Sequence, residues 1–205
     1  VIPDLVRFGD AALRLRRPPG AHARALLHAL RTVPGVLDAI VTEEHALVTF
    51  EPGSPPSMES LASAIVPDAR VAKGGDEAPR EHVLRVRYDG PDLDEVARAT
   101  GMTVAQVVVV HAASTYEVAF VGFLPGFAYL RGLDPRLQLP RRKTPRPRVA
   151  ALSLGIAGPY AGVYPFASPG GWNLLGTVVG FVPFDGAHGA QLQPGDRVRF
   201  APETP

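Results

Sequence analysis

Residues 120–176 constrain the fold more than any other stretch of the chain. They read FVGFLPGFAYLRGLDPRLQLPRRKTPRPRVAALSLGIAGPYAGVYPFASPGGWNLLG. Glycine and proline recur every few positions, yet Phe120, Phe123, Phe127, Tyr129, Tyr160, Tyr164, Phe166 and Trp172 stand among them. Glycine and proline set backbone geometry, and aromatic rings supply large rigid contact surfaces. The combination predicts a shaped, apolar-walled cavity or docking face. A proline-spaced basic run, Arg141, Arg142, Lys143, Arg146 and Arg148, lies in its middle. Cations at the edge of an apolar wall suit a small anion, or a ligand bearing a carboxylate or phosphate.

The 205 residues accommodate one large or two small domains with a real core. A net charge of +1 gives no electrostatic reason to expect nucleic-acid or membrane binding. Cysteine is absent, which excludes disulfides, thiolate chemistry and cysteine–zinc sites. No apolar run approaches a membrane span and the start carries no signal-peptide pattern, so a cytoplasmic protein is expected.

The first part reads as α+β. Ala12–Arg16 alternates at period two like a half-buried strand. Ala23, Leu26, Leu27, Leu30 and Val33 mark a helix that Pro34-Gly35 stops. Two strands, 36–41 and 46–50, precede a second helix that Ser57 can cap. A last strand after it would complete a ferredoxin-like unit. Polar, Gly- and Pro-bearing residues 67–80 mark the boundary, giving domains 1–78 and 79–205. The second domain opens with a strand at 82–88. Asp92 with Glu95, and Thr103 with Gln106, are spaced as capping boxes for two short helices. The remainder is mostly β and suggests a barrel or sandwich.

No P-loop, HExxH, GxSxG or dinucleotide GxGxxG motif is present, and no metal site is expected. Gly170 and Gly171, after Ser168-Pro169, allow backbone N–H groups to converge on an anion; the alternative is a tight turn seating Trp172 in the core. His111, on the apolar face of its helix, is either a core residue or a proton carrier at a pocket floor. Prolines stiffen the basic run, and Arg142, Arg146 and Arg148 are the candidate anion clamp, against a solvated loop as the alternative.

Gly122–Leu130, Leu133–Leu137, Pro140–Arg142, Thr144–Arg146, Arg148-Val149, Gly155–Gly158, Tyr164-Pro165 and Ser168–Trp172 together resemble the family of the 5-oxoprolinase B subunit, also called the KipI or allophanate hydrolase subunit 1 family. The resemblance extends to Tyr88–Leu93, His111 and Gln193–Asp196 and covers the second half almost completely. Ala128 departs from it, standing where the family pattern usually has proline. The resemblance implies a ferredoxin-like domain followed by a cyclophilin-like β-barrel. It implies an enzyme subunit, inactive alone, that works with a carboxyltransferase-like subunit and a metal-binding subunit to open 5-oxo-L-proline to L-glutamate at the expense of ATP. The lactam amide is resonance-stabilised, and phosphorylating its oxygen creates a leaving group. On this reading His111, Arg142, Arg146 and Arg148 are the candidate catalytic residues. Phe123, Pro125, Gly126, Phe127, Tyr129, Ser168, Gly170, Gly171 and Trp172 are the candidate substrate contacts. Two other functions remain open. One is a carboxyltransferase-type subunit acting on urea-like substrates, which needs biotin on another chain. The other is a regulatory inhibitor of a sensor histidine kinase.

Overall fold

In a computed structural model, residues 4–65 and 79–203 are described. The chain divides into two compact units, Val1–Ala78 and Pro79–Pro205.

The first unit is a four-stranded antiparallel sheet with two helices. Strands β1 (Val6–Arg7) and β2 (Ala12–Arg16) form a hairpin, followed by α1 (Ala23–Arg31), β3 (Asp38–Val41), β4 (His45–Thr49) and α2 (Met58–Ile65). The sheet order is β1-β2-β4-β3. Alternation along β2 and β4 sends Leu13, Leu15, Ala46 and Val48 to one face, where they pack with Leu26 and Leu30 of α1 and Leu61 of α2. Ser57 caps α2 as its position predicts, its Oγ accepting from the Ser60 N–H at 3.1 Å. The last strand expected of a ferredoxin-like unit would fall at 66–78, outside the described residues.

The second unit is a closed seven-stranded barrel. Its strands are β5 (Glu81–Arg87), β6 (Tyr116–Val121), β7 (Ala128–Arg131), β9 (Ser153–Ala157), β10 (Tyr160–Val163), β12 (Asn173–Val179) and β15 (Arg197–Pro202). They close in the order β10-β7-β6-β15-β5-β12-β9. Strand β15 runs parallel to β5 and antiparallel to β6. Helices α3 (Leu93–Thr100) and α4 (Val104–Ala113) lie between β5 and β6 in sequence. Thr103 and Gln106 form the reciprocal capping box that their spacing predicts. Two small ribbons flank the barrel: β8 (Arg146–Val149) with β11 (Ser168–Gly170), and β13 (Phe184–Asp185) with β14 (Gly189–Ala190). Among the described residues no single helix is long and apolar enough to cross a membrane.

Closure depends on two glycines at the β5/β12 crossing. A Cβ on Gly176 would lie 2.9 Å from Tyr88 Cα, and one on Gly90 would lie 2.6 Å from Gly176 N. The backbones meet without side chains, and Gly90 N–H and Asp92 N–H donate to the Leu175 and Leu174 carbonyls. Gly176→Ala therefore has no flexible neighbour to displace and is expected to cost about 3 kcal/mol, at the upper end of overpacking. Chemical denaturation followed by fluorescence of the single tryptophan, Trp172, reads this; an unchanged midpoint would refute the close-approach argument.

Candidate functional site

The aromatic residues of the central stretch pack largely on one another. Phe127, Tyr164 and Trp172 are buried with Val149, Ala157 and Leu174 in a cluster of their own, and Tyr129 and Tyr160 pack against it. Phe127 meets Trp172 edge to face at 5.3 Å, and Phe120 stacks on Tyr129 at 4.2 Å. Phe120, Tyr129 and Tyr160 remain partly exposed. The expected wall is thus a filled core with an aromatic platform on its outer side. A cavity of about 220 Å³ opens elsewhere, beside Glu81, His82, Val83, Thr115, Arg197 and Arg199.

Phe123 and Pro125 lie on an exposed turn. Phe123 is 60% exposed and adopts φ 72°, a left-handed conformation that costs a non-glycine residue about 1 kcal/mol or more. Gly126 (φ 81°) anchors the turn, since a Cβ there would sit 2.7 Å from the Pro183 carbonyl oxygen. The turn therefore presents a large apolar ring to solvent at a backbone position that disfavours it.

The basic run separates into spent and unspent cations. Arg142 Nη1 donates to Asp92 Oδ1 at 2.8 Å and to Glu95 Oε2 at 2.9 Å. Arg146 Nη2 donates to the same Asp92 oxygen at 2.6 Å. Asp92 Oδ2 accepts the Leu174 N–H at 2.8 Å, and Asp92 is 2% exposed. The Glu95 hydrogen bond, aided by the Asp92 charge, raises the Arg142 guanidinium above its ordinary value. Arg142 Nε and Arg146 Nη1 are buried and have no partner among the described residues. The two arginines therefore tie the basic loop to α3 and β12, and do not stand free as a clamp. Arg148, on β8, is exposed. Arg141 is exposed too. Its positive charge is felt by the Tyr129 and Tyr164 phenols, opposing the burial that pushes both up.

Two expectations need correction. Asp92 does not cap α3: its side chain makes no cap hydrogen bond, because the carboxylate is committed to Arg142, Arg146 and Leu174 N–H. Ser168, Gly170 and Gly171 form no anion nest. Ser168–Gly170 is strand β11, and neither Gly170 nor Gly171 is among the residues at positive φ, as a nest of converging N–H groups requires. Gly170 is instead needed where the Tyr164 ring packs onto the strand, and Trp172 is core. His111 takes the core position of its two readings, with its Nε2 buried and without a partner among the described residues. It is fully buried, its Nδ1 lies 2.8 Å from Tyr88 Oη, and its ring packs against Tyr116 and Phe200 in the barrel core. Burial depresses its pKa to about 3, so the ring is neutral near neutral pH. Ala128 is buried within β7.

Sequence reasoning read Asp92 only as a helix cap and missed its pairing with the basic run. Arginines 142 and 146 near buried aromatics need an acid from elsewhere in the chain, and Asp92, after Gly90-Pro91, is that acid. No local pattern announces the pairing across 50 and 54 residues. Among the described residues no three His, Asp or Glu side chains gather as a metal site.

The second unit is thus a closed barrel with two helices inserted after its first strand and a partly exposed group of aromatic rings, Phe120, Tyr129 and Tyr160. The chain belongs to the family described as carboxyltransferase domain, subdomain C and D, whose model matches residues 5–186. Over 116 residues it is 49% identical to the B subunit of the 5-oxoprolinase of Escherichia coli O157:H7, covering 56% of this chain and 53% of that protein. The chain spans about half the length of the curated relatives it matches. The crystal structure of TTHA0988 superposes with a TM-score of 0.77 at 38% identity, over 95% of this chain and 40% of that one. A conserved uncharacterized protein, PH0987, from Pyrococcus horikoshii gives a TM-score of 0.58 at 31% identity, over 97% of both chains.

Proposed function

We propose that this chain is a subunit of an ATP-dependent 5-oxoprolinase that converts 5-oxo-L-proline to L-glutamate, together with a carboxyltransferase-like subunit and a metal-binding subunit. The observation that carries this is the 49% identity to the B subunit of a 5-oxoprolinase. On the same reading the first unit is ferredoxin-like, supported by its β2-α1-β3-β4-α2 order, and the barrel is cyclophilin-like. The complex works in the cytoplasm.

Opening the lactam consumes ATP. Gly155 lies in β9, and Gly158 lies in the turn between β9 and β10. The chain's own contribution is recognition and docking. The aromatic platform accepts the flat amide ring, the exposed cations at its edge accept an anionic group, and the Phe123 turn offers an apolar contact for a second chain. A partner chain excludes water from the reacting bond.

The test is glutamate formation from 5-oxoproline by the co-expressed three-subunit complex in the presence of avidin. Turnover that avidin does not touch is expected. Turnover that avidin abolishes would point instead to biotin chemistry on urea-like substrates.

A further inference from the structure

We infer that Phe123, Phe166 and Val182, brought to Phe184 by three loops of the barrel unit, form the apolar docking surface for a folded partner polypeptide, the carboxyltransferase-like subunit. The identity of that partner rests on the oxoprolinase reading; the surface itself does not.

The three loops are 122–127 between β6 and β7, 164–167 between β10 and β11, and 180–183 between β12 and β13. They read GFLPGF, YPFA and GFVP, without one charged side chain. Phe123 is 60% exposed, Phe166 45% and Val182 64%. Among the described residues of the barrel unit, the other exposed large hydrophobic side chains are Val83 and Val109. The loops meet at Phe184. A Cβ on Gly126 would lie 2.8 Å from Phe184 Cβ and 2.7 Å from the Pro183 carbonyl oxygen, so the Phe123 turn rests on the 183–184 segment. The Phe166 and Phe184 rings meet edge to face at 6.2 Å. Val182 directly precedes Pro183.

The surface is held in place before a partner arrives. Gly122 N–H donates to the Phe127 carbonyl at 3.1 Å, Leu124 N–H to the Gly122 carbonyl at 2.9 Å, and Phe127 N–H to the Leu124 carbonyl at 2.9 Å. The Phe123 ring meets buried Phe127 edge to face at 5.4 Å. Its backbone bears the strain of φ 72° while most of the side chain stays in water. Aromatic residues with charge depleted around them mark the centre of a protein interface, and a pre-ordered loop lowers the cost of docking. Loops without lysine or arginine give no electrostatic hold on a nucleic acid or an anionic bilayer. A second polypeptide is also what the relatives supply. The family description names subdomains C and D of a carboxyltransferase domain, and the matched fold makes up 40% of the TTHA0988 chain.

The experiment measures, by calorimetry, binding of the full chain to the carboxyltransferase-like subunit for wild type, Phe123→Gly, Phe166→Glu and the control Val83→Glu. Glycine at 123 removes the ring and suits the left-handed backbone. The Phe123→Gly chain should therefore unfold no earlier than wild type, while its Kd rises by about 30-fold. Phe166→Glu puts an unpaired charge into the interface and should weaken binding by a similar or larger factor. Val83→Glu, on β5, should leave Kd unchanged. A wild-type Kd in both phenylalanine variants overturns the docking surface and leaves the oxoprolinase reading standing. Binding lost in those variants, from a complex that does not turn over 5-oxoproline, upholds the surface and overturns that reading. Absence of any binding by the wild-type chain overturns both. Sedimentation of the chain as a dimer that the same variants split, or their loss of binding to phosphatidylcholine vesicles, would make the occupant a second copy or a lipid surface and overturn the partner inferred here.

Discussion

Asp92→Asn is expected to destabilise the barrel unit by about 3 kcal/mol. The carboxylate is 2% exposed and receives Arg142, Arg146 and the Leu174 N–H. Neutralising it leaves two guanidinium groups without their shared countercharge, and breaking a buried pair by removing one partner costs about 3–5 kcal/mol. The arginine side chains are 28% and 25% exposed, so water relieves part of that cost and the lower end applies. Glu95→Gln is the control. Its side chain is 58% exposed, and its loss should cost no more than about 0.5 kcal/mol. Denaturant unfolding followed by Trp172 fluorescence separates the two. Equal, small effects would mean that the basic loop is held by something other than Asp92.

The second large effect is on pH dependence. His111 titrates near 3 in the folded chain against 6.5 for an ordinary histidine, because burial disfavours the charged ring. Below pH 6.5 the unfolded chain takes up a proton that the folded chain refuses. The contribution is therefore fully present above pH 6.5 and is lost as the pH falls toward 3, at about 1.4 kcal/mol per unit. Tyr88 and Tyr116, which face the ring, are pushed up by burial and stay neutral throughout. His111→Gln should lower stability at pH 7 and remove this slope between pH 6 and 4, leaving only the part due to carboxylates that both proteins share. Parallel stability profiles in wild type and variant would contradict the assignment of His111 as a buried neutral residue.

The elements with strong periodicity were legible before the structure. The amphipathic stripe of α1, the alternation in β2 and β5, and the Thr103–Gln106 capping box all appear where local spacing places them. The site was legible only in composition. Aromatics, glycines and arginines are indeed gathered there, but their roles depend on contacts distant in sequence. Asp92 resembles a helix cap because its spacing to Glu95 is a local fact, whereas its partners lie 50 and 54 residues away. Glycines 170 and 171 resemble an anion loop, yet Gly170 is demanded by the Tyr164 ring. His111 sat correctly on an apolar helix face, and only the barrel around it shows that the face points into a closed core.

The most direct measurement is 5-oxoproline-dependent ATP hydrolysis by the three-subunit complex, with each subunit omitted in turn. Hydrolysis coupled to 5-oxoproline that disappears when this chain is left out is the expected result. Undiminished coupled hydrolysis without this chain, or none from a fully assembled complex, would contradict its place in a 5-oxoprolinase.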